Sequence, residues 1–507
     1  MVESGHFSTG NTPLNIEAAD PKRGVIRLWI FGVAIAVIAA AFSWRYPLIG
    51  NTQHLVDIGK MAKYGKPEFA GFCAGIGGMF LFYLLGIRET RKLTPRQATR
   101  PVFVCAAAQA LAIAWIYPVS AIDVYMYAVH SRLFTEYHQN PIAAYPNDYK
   151  FDPYMHFASR EGMDDVSSKG PLWNLIAAPA TFFGGDSIGL ALALFKVIAV
   201  IAFFACAVCI FLALRRVRPE AAATGALVFL WNPMVLWEGI GNAHNDLVMM
   251  AFVLAAFYAW YARRDAMVVP LLVLGAMIKY EPFLLIPFAG MAVLVRAPSW
   301  EARVAVTVRS TIDSVAALAV SFFPWYDLEA VRHSFDVQSK RYITSPQAVA
   351  INQLHDRYAV VDIKHVMNLL GQSVVAVVLV IGAILIFRNP ERWPRMAFEL
   401  TFFFLLVASS SVRNWYAIWL VGIAALLPWG WPTWRAIAWA FGSVATYAFY
   451  IWVWSWWRVN FDIINTVGVS ILVGPAVVMT LGELAAALVR WRPRRADRPF
   501  SQAEVPA

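Results

Sequence analysis

Residues 120–134 of the chain, SAIDVYMYAVHSRLF, place several reactive side chain types directly after a long apolar run. Asp123 suits a general base that takes a proton from a hydroxyl group, because a carboxylate at a pocket mouth can accept one. Asp is also a favoured helix N-cap, so residue type alone leaves both roles open. Tyr127 and Arg132 share the neighbourhood of Asp123 if a helix continues through this stretch.

A second polar group lies in residues 231–252, WNPMVLWEGIGNAHNDLVMMAF, between two apolar runs. Glu238, His244, Asn245 and Asp246 cluster there. One interpretation is a polar hairpin tip in which Asn245 or Asp246 caps the following helix. A histidine with two acids also suggests a metal, but the spacing matches no zinc signature. The cluster is therefore a candidate site without an assigned metal.

Two further stretches carry cations beside aromatic or acidic residues. Lys279 and Glu281 interrupt two short apolar arms in GAMIKYEPFLLIPF, either as a mutually satisfied pair or with the lysine as a phosphate ligand. Arg413 precedes Trp415 and Tyr416 in SSSVRNWYAIWL. One interpretation is that these aromatic residues lie at the membrane interface. The other is that Arg413 holds a phosphate or stacks on a sugar ring.

The composition indicates a membrane protein. The 507 residues are 59% hydrophobic and 15% charged, whereas about 25% of an ordinary soluble domain is charged. The mean hydropathy is +0.55. The net charge of +10 comes largely from basic residues in short loops between apolar runs, as in cytoplasmic loops of membrane proteins. The charge therefore indicates orientation rather than a nucleic acid partner, although a share for phosphate binding stays open.

We predict an all-α polytopic membrane protein in which residues 25–490 form one domain of about 12–14 transmembrane helices. The tails 1–24 and 491–507 are expected in the cytoplasm, and the loops 121–169 and 325–363 are expected to be ordered on the outer side. Residues 170–185 are too short to cross comfortably and are predicted to be re-entrant or interfacial. The predicted spans are about 25–44, 70–87, 101–119, 188–214, 221–238, 246–262, 267–279, 283–296, 304–324, 364–387, 396–412, 416–430, 435–456 and 464–490.

Several motifs, in this order along the chain, resemble those of the GT-C membrane glycosyltransferases. They are DVYMYAVHSRL, NPIAAYP, GPLW, WNPMVLWEGIGNAHNDLVM and MIKYEPFLLIPF. The similarity is greatest to the polyprenol-phosphate-mannose-dependent α-mannosyltransferases of lipomannan assembly, and it covers roughly residues 101–430. The chain departs from the pattern at Lys169, where an aromatic residue is expected, and at His130 and Ser131, where a pair of small residues is expected.

The resemblance implies a GT-C-like helix bundle and an inverting hexosyltransferase. The expected reaction moves a hexose, with mannose favoured, from a polyprenyl phosphate to a glycan or lipid hydroxyl on the non-cytoplasmic face of the plasma (inner) membrane. Asp123 matches the family's general base. Cations proposed for the donor phosphate are Lys279, Arg413, Arg132 and Arg341. Residues proposed for sugar and acceptor contacts are Tyr125, Tyr127, Lys169, Glu238, His244, Asn245, Asp246, Trp415 and Tyr416.

No cofactor is expected and no metal ligand set is predicted, while a divalent metal stays open. The expected partners are the lipid-linked sugar, a glycan or glycolipid acceptor and membrane lipid, with no nucleic acid. An ion-coupled transporter or a flippase for lipid-linked sugars is the alternative, with Lys196, Lys279, Glu281 and Glu399 as an ion path. The absence of a visible internal repeat weakens that alternative. A catalytically inactive lipid-binding scaffold is a third possibility. The enzyme hypothesis requires that Asp123 share one pocket with cations that can hold a phosphate.

Overall fold

The computed structural model describes residues 21–51, 57–339 and 342–491 of the chain. Within these ranges the regular structure is helical, and β-type pairing is confined to two isolated bridges. The α-helices are α1 Pro21–Arg45, α2 Ile58–Met61, α3 Lys66–Thr90, α4 Pro95–Ala114, α5 Asp123–Thr135, α6 Arg160–Met163, α7 Pro171–Gly184, α8 Ile188–Val217, α9 Ala222–Leu230, α10 Asp246–Tyr261, α11 Val268–Ala276, α12 Ile286–Arg296, α13 Trp300–Phe322, α14 Leu328–Ser339, α15 Pro346–Leu354, α16 Val360–Arg388, α17 Trp393–Phe403, α18 Ala417–Ala425, α19 Trp431–Tyr447, α20 Trp454–Trp457 and α21 Phe461–Trp491. π-helical turns lie at Val235–Gly241, Phe404–Ala408 and Ala448–Val453.

Seven of the described helices are long and apolar enough to cross a membrane. A bent pair, Val235–Gly241 followed by Asp246–Tyr261 at 114°, counts as an eighth if it is one span. These helices confirm the predicted all-α polytopic membrane protein, but the number that meets this test is below the predicted 12–14. The seven are Lys22–Arg45, Lys66–Thr90, Ile188–Val217, Trp300–Phe322, Val360–Arg388, Trp431–Trp457 and Phe461–Val489.

The lower number arises where the chain breaks apolar runs into short helices. The predicted spans 267–279 and 283–296 correspond to α11, with 9 residues, and α12, with 11 residues. At the helical rise per residue they reach only about 14–17 Å, roughly half of a bilayer core. Lys279 and Pro282 lie in the break between them. The break lies where the sequence places it between two short spans, but each helix is too short to meet the length test for a span.

Backbone contacts between distant segments set the position of the polar stretches. The Tyr117 N–H donates to the Tyr46 carbonyl at 2.8 Å, which fixes the chain before α5 beside the end of α1. The Gly170 N–H donates to the Ile278 carbonyl at 3.0 Å, so the chain entering α7 runs against the chain leaving α11. Helix α5 packs on α7 and α8. These contacts gather the start of α5, the residues before α7 and the break after α11 in one region.

Candidate active site

A cavity of about 510 Å³ lies at the N-terminal end of α5. It receives side chains from α5, from the segment before α7, from the loop before α18 and from the end of α19. Its polar and aromatic lining residues include Asp123, Tyr127, His130, Lys169, Arg413, Trp415, Tyr416, Tyr447 and Tyr450. Its volume is in the range of small-molecule sites.

Asp123 is the first residue of α5, and its carboxylate lies in the cavity wall rather than on the helix end. Ile122 occupies the N-cap position, so the capping alternative for Asp123 is not realised. Asp123 Oδ2 lies 3.5 Å from Lys169 Nζ and 3.4 Å from the Tyr127 hydroxyl. The Asp123 side chain is 25% exposed, which leaves one face of the carboxylate open to the cavity.

The positive charge around Asp123 controls its protonation. Burial acts to raise the pKa of this carboxyl, but nearby cations outweigh burial and hold the pKa well below its ordinary value. Lys169 makes the largest contribution among them, followed by His244, Arg413 and Lys279. Asp123 is therefore ionised at neutral pH and is able to accept a proton.

Lys169 occupies the position where the resemblance predicts an aromatic residue. Its Nζ lies against Asp123 and 5.6 Å from the centre of the Tyr127 ring. Burial lowers the pKa of Lys169 more than the neighbouring Asp123 carboxylate raises it. The departure from the family pattern thus places a cation in direct contact with the proposed base, a pairing that the sequence analysis did not foresee.

The π turn at Val235–Gly241 and the bend that leads to α10 pack against residues that line the cavity. Glu238 Oε2 lies 3.1 Å from His244 Nε2, and both side chains are buried. The His244 ring stacks on Trp415 with ring centres 3.9 Å apart. Ser120, which lines the cavity, donates to Glu238 Oε1 at 3.3 Å. Glu238 and His244 are therefore in contact with lining residues and are not themselves among them.

Asn245 and Asp246 join this segment to its neighbours. Asn245 Oδ1 accepts a hydrogen bond from the Tyr127 hydroxyl at 3.0 Å. Asp246 accepts from Lys279 Nζ at 2.9 and 3.0 Å and from the Trp419 indole at 2.6 Å. Both side chains are buried, so their groups hold α5 and the break after α11 in place.

Lys279 lies behind the cavity rather than in its wall. Its ammonium group is 4.7 Å from the centre of the Tyr416 ring, and Tyr416 lines the cavity. The residue is only 6% exposed. A mutually satisfied pair was one of the two interpretations of Lys279, and the structure forms such a pair with Asp246 instead of Glu281.

Arg413 is a cation in the wall of the cavity. Its guanidinium forms no ion pair or hydrogen bond with any residue that the structure describes. The nearest aromatic contact is Trp415, whose ring centre is 5.9 Å away. Of the two proposed arginines that the structure describes, Arg413 lines the cavity and Arg132 does not.

Two of the proposed site residues, Arg132 and Tyr125, are held by other contacts away from the cavity. Arg132 is held by Asp152 at 3.0 Å and Asp186 at 2.5 Å, so its charge is already compensated. Tyr125 is buried and stacks on Phe157 with ring centres 5.7 Å apart. Arg341 lies outside the described residues. Conversely His130, which was not proposed for the site, lines the cavity.

Gly170 allows the close approach that positions Lys169. A Cβ at this position would lie 2.2 Å from the Met277 carbonyl oxygen, a distance that only a backbone shift can relieve. The glycine of the GPLW motif is therefore required by packing.

We expect Gly170→Ala to lower the free energy of unfolding by about 1–3 kcal/mol because of this overlap. The measurement is the thermal unfolding midpoint of the purified protein in detergent. Gly290→Ala is the matched control, since a Cβ there meets nothing within 4 Å. An unchanged midpoint in Gly170→Ala would contradict the packing argument.

The described residues contain no group of three or more His, Cys, Asp or Glu side chains arranged to hold a metal ion. The charged side chains that line the cavity are instead those of Asp123, Asp165, Lys169 and Arg413. Together with the long apolar helices, they define a polytopic membrane protein with a cavity lined by charges of both signs.

A family model described as Alpha-(1->6)-mannopyranosyltransferase, N-terminal domain, matches residues 28–296. The chain belongs to this family, the MptA/B family, since the match covers more than half of its length. The family indicates an α-mannosyltransferase, and the match confirms the resemblance that the motifs suggested. No curated protein matches the chain. The matched range includes Asp123, Lys169 and Lys279 and ends before Arg413.

Proposed function

We propose that the protein transfers mannose, with inversion, from a polyprenyl phosphate to a hydroxyl group of a glycan acceptor, and that Asp123 is the general base. The main supporting observation is that the wall of one cavity holds an ionised carboxylate and an arginine that has no ion-pair partner among the described residues. A base and a phosphate-binding cation in one pocket are what this reaction requires.

The proposed transfer is a single displacement at the anomeric carbon of the donor sugar. The acceptor O–H gives its proton to Asp123 while its oxygen forms a bond to the anomeric carbon. The bond from that carbon to the donor phosphate oxygen breaks, and polyprenyl phosphate leaves with one more negative charge. Because attack and departure occur on opposite faces, an α-linked product requires a β-linked donor. The cations must therefore stabilise the charge that develops on the phosphate.

Arg413 is suited to the phosphate because a guanidinium can hold two phosphate oxygens at once. Lys169 supplies a second positive charge to the cavity while it contacts Asp123. Lys279 lies behind Tyr416 and adds positive charge near the cavity, although Asp246 is its ion-pair partner.

The direction of α4 supports a site on the non-cytoplasmic face. The basic stretch 88–100 includes the start of α4, and Asp123 follows its other end. The 20 residues of α4, about 30 Å in length, separate the basic stretch from Asp123, although α4 is not one of the seven helices that meet the test for a span. Since basic loops collect in the cytoplasm, the cavity would open on the opposite side, at the plasma membrane.

Three of the four residues named for the alternative ion path have local partners, namely Lys196, Lys279 and Glu399, whereas the buried Glu281 Oε2 has no hydrogen-bond partner among the described residues. Lys196 donates to the carbonyl oxygens of Ile116 and Gly241. Glu399 pairs with Arg395 at 2.7 Å and with Arg435. Such pairing supports a structural role for these groups and favours the enzyme over the transporter.

Transfer from a panel of polyprenyl-phosphate sugars in membranes that contain the protein tests the proposal. The expected result is a product that is heavier by one hexose when polyprenyl phosphomannose is supplied. Proton-dependent uptake into vesicles without any glycosyl transfer would overturn the proposal in favour of a transporter.

Arg413→Gln is expected to raise the donor KM about 10- to 100-fold, because a charge-assisted hydrogen bond contributes about 1.5–3 kcal/mol. Arg413→Lys should recover part of the affinity, since it keeps the charge but loses the planar fork. The measurement is initial rate against donor concentration. Arg357→Gln, at an exposed position outside the cavity, is the control. A donor KM within twofold of wild type in Arg413→Gln would refute the assignment.

A further inference from the structure

A second cavity, of about 580 Å³, lies directly beside the first. Ser120, Tyr447 and Tyr450 line both cavities, so they form a shared wall. Ser120 is three residues before Asp123. The remaining lining residues of the second cavity are Asp57, Tyr64, Val119, Ile451, Trp454, Ser455 and Arg458.

One helical stripe supplies much of this lining. Tyr447, Tyr450 and Trp454 follow one another at intervals of three or four residues, which places them on one face of the helical segment. Arg458 follows Trp457 as the left-handed C-cap residue of α20. The π turn at Ala448–Val453 lies within the stripe, and such turns are frequent at functional sites. The segment has no role in the chemistry proposed for the first cavity, yet its polar and aromatic face is directed into a cavity.

The lining of the second cavity matches the chemistry of a carbohydrate. Tyr64 and Trp454 offer apolar ring surface, on which the C–H face of a sugar can pack. Asp57 accepts and Arg458 donates hydrogen bonds, as adjacent sugar hydroxyls require. Arg458 is exposed and forms no ion pair with another residue in the described ranges, so its guanidinium is available to a ligand.

An isoprenoid chain fits this cavity less well. It would cover the Asp57 carboxylate and the Arg458 guanidinium without offering them hydrogen-bond partners, and burying polar groups in that way is costly. The volume lies within the usual range of about 300–1,000 Å³ for small-molecule sites. The lining therefore favours a polar ligand of several rings over a lipid tail.

We propose that the second cavity binds the preceding sugar units of an oligomannoside acceptor. The terminal sugar then passes Ser120 and Tyr447 into the first cavity, where its hydroxyl meets Asp123. This inference rests on the proposed function, since it assigns the acceptor side of the same reaction. It makes Trp454 and Arg458 determinants of acceptor length.

The test compares Trp454→Ala and Arg458→Gln with wild type on α-(1→6)-linked mannosides of one to four units. We expect each variant to raise the KM for the tri- and tetramannoside about five- to tenfold, because the stacking or hydrogen-bonding contact with the preceding units is lost. The KM for the monomannoside, the donor KM and kcat should change less than twofold. Trp454→Phe should restore most of the affinity, which separates stacking from a folding defect.

Trp457→Ala is the matched control, because Trp457 is on the same short helix, is 68% exposed and does not line the cavity. An equal loss on the monomannoside, a raised donor KM or the same effect in Trp457→Ala would overturn the subsite. If wild-type protein transfers to the monomannoside without any preference for longer acceptors, the subsite fails and the proposed function stands. If wild type transfers to no acceptor, both fail.

Discussion

Asp123→Asn is expected to lower turnover about 10²–10⁴-fold, the usual contribution of one positioned base. Asparagine has nearly the same shape and can still contact the Tyr127 hydroxyl, but it cannot take the acceptor proton. Donor affinity should stay near wild type, because the phosphate contacts are assigned to Arg413. The measurements are kcat for glycosyl transfer and the dissociation constant of the donor.

The control for this variant is Asp148→Asn, which makes the same change at an exposed position of the loop 121–169. It should leave kcat within twofold of wild type. The thermal midpoint of Asp123→Asn must be recorded as well, since the variant leaves Lys169 without its carboxylate partner. A kcat within threefold of wild type in a folded Asp123→Asn protein would remove Asp123 from the mechanism.

The charge around Asp123 has a consequence for how the base works. With its pKa held low by Lys169 and Arg413, the carboxylate is ionised but has little affinity for a proton. A donor phosphate bound by Arg413 would neutralise part of that positive charge and move the pKa of Asp123 upward. Donor binding would thereby strengthen the base at the time when the acceptor hydroxyl must be deprotonated.

The period of α5 explains which site predictions the structure brings to the cavity. At about 100° per residue, positions four and seven after Asp123 fall on its face of the helix, and these are Tyr127 and His130. Positions two and nine fall on the opposite face, and these are Tyr125 and Arg132. Helical spacing alone therefore contained the information to favour His130 over Arg132, whereas residue type favoured the arginine.

Other features depend on contacts that no local pattern contains. Lys279 has an acidic neighbour two residues away, but its partner Asp246 lies 33 residues earlier, across a bent helix pair. The fold class follows from composition because a bilayer requires long apolar helices. The number of spans does not follow from composition, because helices of 9 and 11 residues are as apolar as a membrane span but are too short to cross a bilayer.

The second cavity was also beyond the sequence analysis. Its helical stripe lies in a segment that hydropathy describes only as apolar, and its other wall comes from the beginning of the chain, at Asp57 and Tyr64. Nothing in the spacing of these two regions indicates that they meet. The pairing becomes visible only in the folded chain.

Lys279→Met is expected to lower the free energy of unfolding by about 3–5 kcal/mol, because it leaves the buried Asp246 carboxylate without its cation. The double variant Lys279→Met/Asp246→Leu should recover much of that loss, since it removes both charges and fills the space with apolar groups. Thermal unfolding in detergent measures both effects. Lys150→Met, at an exposed lysine, is the control.

The same variant separates the two roles considered for Lys279. If the ammonium held the donor phosphate directly, Lys279→Met would raise the donor KM strongly while the protein remained stable. Lys279 instead pairs with Asp246, which also accepts a hydrogen bond from Trp419. These contacts give Lys279 a structural role behind Tyr416. A stable Lys279→Met protein with a large donor KM would reverse this conclusion and return Lys279 to the phosphate site.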